Sequence, residues 1–406
     1  MPKLRSFLRG ARSAILIIAT ILGMDALLTG LVLPDNLFGL VDTERLARIY
    51  SPLYHHDLAP NRKIKNARWG DLRYEFSTNS LGFKDRAVRK VQMTAAGKRV
   101  LLMGDSFTEG NGFTFDDTFA GLLDHKLNEG EAQPSVEVLN AAVSSYSPAM
   151  YFRKVQYLLE ERGLSVDAVA VFIDISDIDD EASGVRLNDV GNVVPRSVSA
   201  GDEVFQQAVL RLRSLLKKYS SLYRLISALN RQRKATRANA NTCQDALLAR
   251  GKDKDNLNAD FFRDQLANPR SQWTWNSSLM TAWGEKGLDQ ASVNMTRLQE
   301  FLKARDIPLL IAVYPWPEQI FRHDLKGPQV EYWRRWAINH NVEFLNLFPA
   351  FINSLAPISV YRRYFVPCDV HWNRDGHELI ADRLFKYIRS LDLGAFPAEG
   401  LGDHNS

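Results

Sequence analysis

At 406 residues and a formal net charge of +4, the chain is long enough for one large domain or two ordinary ones and too weakly charged for a nucleic-acid surface. With 45% hydrophobic and 24% charged residues it has the balance of a globular protein, which excludes a disordered chain. Cys243 and Cys368 form no CxxC or Cys/His cluster, so neither a structural zinc nor any other metal or cofactor is expected; they could pair in an oxidising compartment or stand as two thiols.

Lys3, Arg5, Arg9 and Arg12 precede an apolar stretch from Ser13 to Leu33, with no acidic residue before Asp25. A run of ~20 apolar residues can cross a bilayer as a helix, and the basic side stays in the cytoplasm. The expectation is a cytoplasmic tail over 1–12, a retained single-pass anchor over 13–33 in a bacterial inner membrane, and the rest of the chain on the periplasmic side. Asp25 conflicts with lipid: it is protonated, faces a partner helix, or marks a shorter span.

Residues 34–97 read as a loop-rich lead-in with short strands. From 98 to 395 strands and helices alternate. Buried strands are expected at Arg99–Met103, Val136–Val143, Ala168–Asp174, Pro308–Tyr314 and Val342–Leu347. Helices are expected at Thr118–Asn128, Pro148–Arg162, Leu288–Arg305, Gln329–Asn339 and Gly376–Ser390. This is the pattern of an α/β fold, a three-layer α/β/α sandwich with about five parallel strands. An insertion over 182–286 is expected to be mainly helical, and 396–406 form a tail. Residues 204–244 hold nine Lys or Arg and no Asp or Glu, interleaved with leucines; this is either a headgroup-docking face or a solvated face of a packing helix. Trp273, Trp275 and Trp283 either stack on sugars or pack in the core.

The chemistry concentrates where strands end. Gly104-Asp105-Ser106-Phe107-Thr108-Glu109-Gly110 follows the first strand, so Ser106 stands at a sheet edge where α/β proteins bind ligands. A serine hydroxyl becomes a nucleophile when a base takes its proton. Near the other end, Cys368-Asp369-Val370-His371 follows the last strand; an aspartate two residues before a histidine can orient the imidazole. His371 is the candidate base and Asp369 its orienter. His377 is read as a packing or capping residue and Asp375 as the cap of the last helix. Asn140–Tyr146 and Asp174–Asp177 end at the same edge and could lend oxyanion donors.

These four segments, in this order, resemble the four blocks of the SGNH/GDSL hydrolase superfamily over residues 98–180 and 305–390. The resemblance implies a flavodoxin-like sandwich. It assigns the nucleophile and one oxyanion amide to Ser106, a second amide to Ser145 where the family has glycine, a third donor to Ser176 where it has asparagine, and the remaining catalytic pair to Asp369 and His371. At Ser176 a hydroxyl replaces an amide donor, and one lost oxyanion donor costs ~3–4 kcal/mol. The Asp-x-His spacing resembles the branch that handles O-acetyl groups of bacterial polysaccharides, including alginate O-acetylation proteins. The expected partners are therefore an acylated carbohydrate, the membrane and a membrane acyltransferase, with no nucleic acid. The expected activity is a serine-dependent esterase. Its alternatives are an O-acetyltransferase with the same triad, a binding or scaffolding component of a polysaccharide machine, and a lipid-directed esterase. The glycine-rich stretch lacks the lysine of a P-loop.

Overall fold

Five short apolar runs, each bounded by turn residues, become the five strands of one parallel sheet. In the computed structural model, which describes residues 13, 16–17, 19–29, 47–70, 72–130, 136–237 and 268–390, these are β5 (Lys98–Met103), β6 (Val136–Asn140), β7 (Ala168–Ile173), β10 (Leu309–Val313) and β11 (Glu343–Asn346). Their order is β11-β10-β7-β5-β6 and every pairing is parallel. The interior strands carry apolar residues on both faces, so β7 and β10 are buried along their whole length.

The helices fall where the apolar periodicity puts them. After α1 (Ser106–Glu109) come α2 (Phe119–Leu127), α3 (Pro148–Gln156), α4 (Glu203–Tyr219), α5 (Ser221–Arg237), α6 (Glu285–Lys303), α7 (Pro328–His340), α8 (Pro357–Tyr364) and α9 (Arg374–Ser390). Right-handed crossovers put α2 on one face of the sheet and α3, α6 and α7 on the other; accordingly α9 packs on α2, and α6 on α3. The strand order reverses direction beside β5, so the crevice of the fold opens at the carboxyl ends of β5 and β7. The predicted cap of α9 differs: Asn373 Oδ1, not Asp375, accepts from Gly376 N at 3.0 Å.

The lead-in forms two antiparallel hairpins, β1 (Arg48–Ser51) with β2 (His55–Leu58) and β3 (Lys63–Trp69) with β4 (Leu72–Ser77). The insertion opens with the hairpin β8 (Val185–Leu187) and β9 (Val193–Pro195), followed by α4 and α5. Trp273 is core: it is fully buried and its Nε1 donates to Ile175 O at 3.0 Å.

The predicted anchor lies partly outside the described residues, and among the described residues no helix is long and apolar enough to cross a membrane. Residues 19–29 are helical, and Asp25 has its partner helix within the chain. Leu222 N donates to Asp25 Oδ1 at 3.3 Å, Ser220 Oγ donates to Asp25 Oδ2, and Ser221 N donates to Thr29 Oγ1 at 2.9 Å. Asp25 and Thr29 thus cap α5, an anion at the positive end of a helix. Cys368 is disulfide-bonded; Cys243, the chain's other cysteine, lies outside the described residues.

Gly104 makes the turn out of β5 possible. A Cβ there would stand 2.2 Å from the Thr108 hydroxyl and 2.6 Å from Thr108 Cβ. Gly104→Ala is expected to cost about 1–3 kcal/mol, the usual range for overpacking, read as a lowered denaturant midpoint.

Candidate active site

Residues 265 apart in the chain meet at one hydrogen bond: His371 Nε2 lies 2.7 Å from Ser106 Oγ. On the other side of the ring, His371 Nδ1 lies 2.6 Å from Asp369 Oδ1. A carboxylate accepts only, so Nδ1 carries the ring proton and Nε2 is left to accept from the serine. The local sequence builds this geometry. Asp369 Oδ1 also accepts from His371 N at 3.1 Å, a two-residue turn that fixes the ring beside its carboxylate. Tyr361 Oη, from α8, accepts from Asp369 N at 3.1 Å and clamps the loop. Phe107 lies against the imidazole at 4.6 Å between centroids.

The two charges tune one another. Burial pulls the His371 pKa down, but the Asp369 carboxylate and its hydrogen bond, helped by the Asp105 and Asp174 charges, outweigh this, and the net shift is upward from 6.5. Burial pushes Asp369 up, and the His371 charge more than reverses it, so the carboxyl is held below its usual range.

The lead-in supplies a residue that sequence reasoning missed. Trp69, the last residue of β3, donates its indole N–H to Asp369 Oδ2 at 2.7 Å and meets the His371 ring edge-on at 5.1 Å. Both oxygens of Asp369 are therefore occupied by donors. Trp69 acts through Asp369 and is a positioning residue.

Behind the nucleophile lies a set of buried carboxylates. One oxygen each of Asp105, Asp174 and Asp177 fall within 4.8 Å of one another. Tyr314 Oη and Phe107 N both donate to Asp105 Oδ1 at 3.0 Å, Trp316 Nε1 donates to Asp174 Oδ2 at 2.6 Å, and Tyr151 Oη donates to Asp177 Oδ2 at 2.8 Å. Burial, then the Asp174 charge, push Asp105 up to about 7 and hold Asp177 well above the carboxylate range. Hydroxyl, indole and backbone donors thus hold oxygens of all three carboxylates. Asp105 Oδ2 is 3.2 Å from Ser106 Oγ, farther than the imidazole, so the base holds the shorter contact.

The expected oxyanion residues divide. Ser145 is exposed and left-handed, with φ of +64°, a conformation that glycine adopts without strain. Its predecessor is fixed at every polar atom. Ser144 N donates to Glu109 Oε2 at 2.6 Å; Ser144 Oγ accepts from Arg48 at 2.9 Å and Asn111 at 2.7 Å; Ser144 O accepts from His56 Nε2 at 2.8 Å. The Arg48 guanidinium also grips both oxygens of Glu109 at 3.0 Å. Burial raises Glu109, but Arg48 and Lys84 outweigh it and the carboxylate stays ionised. Ser176 differs from expectation: its amide and hydroxyl both donate to Asp174 Oδ1, at 2.7 and 2.5 Å, which takes the one proton the hydroxyl has to give. His377 packs, as expected: it is buried, accepts from Phe119 N at 3.3 Å, and burial pushes it down to about 3.

The chain matches no family model and no curated protein. Among solved structures it is similar to a catalytic mutant of the acetylxylan esterase of Geobacillus stearothermophilus, at 12% identity and a TM-score of 0.38, covering 76% of this chain and 100% of that one. It is also similar to the psychrotrophic esterase EstA of Pseudoalteromonas sp., at 12% identity and a TM-score of 0.34, covering 72% and 97%. A third is an alpha/beta hydrolase enzyme from the metagenome of Lake Arreo, at 13% identity and a TM-score of 0.36, covering 76% and 100%. Overlaps this loose carry no functional weight; the geometry of the chain does.

A base must be neutral to take the serine proton, so activity is lost as pH falls through the His371 pKa. The acid limb of kcat/KM is expected above 6.5, and in Asp369→Asn, which removes the largest influence that raises the ring and leaves its burial, it moves to lower pH while kcat falls. Trp69→Phe is expected to lower kcat by about 10-fold or more, the worth of a hydrogen bond to a charged group, with the melting temperature little changed.

Proposed function

We propose that the chain is a serine esterase-type enzyme that handles acyl, and specifically acetyl, esters of an envelope or extracellular polysaccharide. The observation that carries this reading is the continuous hydrogen-bonded line from Ser106 Oγ through His371 to Asp369, at 2.7 and 2.6 Å. Ser106 Oγ attacks the ester carbonyl while its proton passes to His371 Nε2. Asp369, held by Trp69, stabilises the imidazolium. As the tetrahedral intermediate collapses, His371 returns the proton to the leaving sugar oxygen and the acyl group stays on Ser106. Water or a second sugar hydroxyl then attacks the acyl-enzyme, giving up its proton to His371; the acyl–Oγ bond breaks, the acyl group leaves as free acid or new sugar ester, and His371 returns the proton to Ser106 Oγ. The amides of Ser106 and Ser145 are the donors assigned to the oxyanion. With the Ser176 hydroxyl committed to Asp174, the site runs on two amides, which predicts a modest rate.

The same reading places the enzyme outside the cytoplasm of a bacterium, on a single-pass anchor. Two features support it: the basic residues preceding the apolar run 13–33, and the disulfide at Cys368, a bond that persists in oxidising compartments. A membrane acyltransferase is the partner expected if transfer, rather than hydrolysis, is the reaction.

A fluorophosphonate probe is expected to label the wild type and to miss Ser106→Ala; His371→Ala should label slowly and lose turnover of an activated acetyl ester. Labelling that persists in Ser106→Ala would name the wrong nucleophile. Products formed with an acetylated oligosaccharide donor, free acetate or a newly acetylated acceptor, separate hydrolysis from transfer. A C-terminal reporter active only outside the cytoplasm should be active.

A further inference from the structure

Helices α4 and α5 turn their apolar side chains the wrong way for a packing element. On α4, Phe205, Leu212, Leu215 and Tyr219 share one face and are 67%, 56%, 54% and 43% exposed. Spacings of seven and three residues keep them on one stripe. On α5, Leu222, Ile226 and Leu229 recur at i, i+4 and i+7, and all three are exposed. Residues 19–29 add exposed Ile21, Met24 and Leu28. A surface that met only water would not carry an apolar patch spread over three helices.

The charge around the patch selects what covers it. Residues 204–244 hold nine Lys or Arg and no Asp or Glu. Arg211 and Arg213 are exposed beside the stripe on α4. Beyond Asp202 and Glu203 at the start of α4, the charges beside the stripe are cationic, which suits an anionic phospholipid surface, where the side chains enter the acyl boundary and the cations meet phosphates. The patch is also continuous with the N-terminal apolar run. Asp25 and Thr29, in its second half, hold the α4–α5 junction through Ser220, Ser221 and Leu222.

We propose that α4 and α5 form an interfacial foot that lies on an anionic phospholipid bilayer and seats the active site against the membrane surface. The link to the site is direct: Lys217 Nζ of α4 donates to Arg48 O at 3.4 Å, and Arg48 binds Glu109, three residues beyond Ser106. The foot does not depend on the serine chemistry. Together with it, the foot makes membrane-proximal polymer the material whose esters Ser106 reaches.

The test uses the full-length chain reconstituted into vesicles. An environment-sensitive fluorescent amino acid is placed at Leu212 or Ile226, with a control at Val190, which is 76% exposed on the β8–β9 hairpin. In phosphatidylglycerol-rich vesicles, the labels at 212 and 226 are expected to shift to the blue and to be quenched by lipids brominated near the headgroup, while that at 190 stays water-like. The shift should shrink in pure phosphatidylcholine, in high salt and in Arg211→Glu/Arg213→Glu. Water-like emission at 212 and 226, or an identical shift on neutral lipid, overturns the proposal. So does energy transfer between labelled copies that accounts for the shift, since a second copy would then cover the face. Turnover of a soluble acetyl ester is read in the same samples; its absence beside a lipid-dependent shift faults the catalytic reading and leaves the foot standing.

Discussion

The contact between Asp369 and His371 is the interaction on which the rest of the site depends. A carboxylate and an imidazole are buried together at a sheet edge: the pair keeps the carboxyl below its usual range and raises the imidazole against the burial that would lower it. Their surroundings follow from that constraint. The turn through Asp369 N and Tyr361 fixes the loop, Trp69 occupies the second carboxylate oxygen, and Phe107, itself packed edge-on against Trp372, lies against the imidazole. The same loop is tied at Cys368 by a disulfide, next to the residue that orients the base.

Around this pair the protein keeps an unusual number of buried carboxylates, and it treats them in two ways. Glu109 remains an anion because Arg48 meets it in bidentate geometry, and it spends that charge on holding Ser144. Among the described residues no cation meets Asp105, Asp174 or Asp177 in that way. Tyrosine and indole donors hold them, and burial with the neighbouring charge raises Asp105 and Asp177. Ser176 belongs to this second group, which explains how a residue aligned with an oxyanion donor comes to serve as a solvating hydroxyl instead.

The sheet and its helices were legible because they are written locally. Each β-strand is a short apolar run and each long helix a 3.6-residue stripe, so all five strands and the major helices lie within a few residues of their expected bounds. Ser106, Asp369 and His371 were legible because strand-end position and the Asp-x-His spacing are local too. The structure brings them together. What stayed hidden was set by tertiary contact. Trp69 reaches Asp369 across 300 residues, Arg48 reaches Glu109 across 61, and nothing near Trp69 or Arg48 marks them. Asn373 rather than Asp375 caps α9 because the turn from Phe365 sets the helix start two residues earlier. Asp25 read as a flaw in an apolar run until the start of α5 supplied its partner.

The account therefore rests on one covalent event at one atom. Mixing the full-length protein with an activated acetyl ester, quenching in acid within the first turnover and mapping the digest by mass spectrometry tests it most directly. One acetyl group is expected on the peptide that carries Ser106, appearing at the rate of the initial burst and absent from Ser106→Ala. An acetyl group found on any other residue, or turnover with no adduct at Ser106 at any time point, would contradict it.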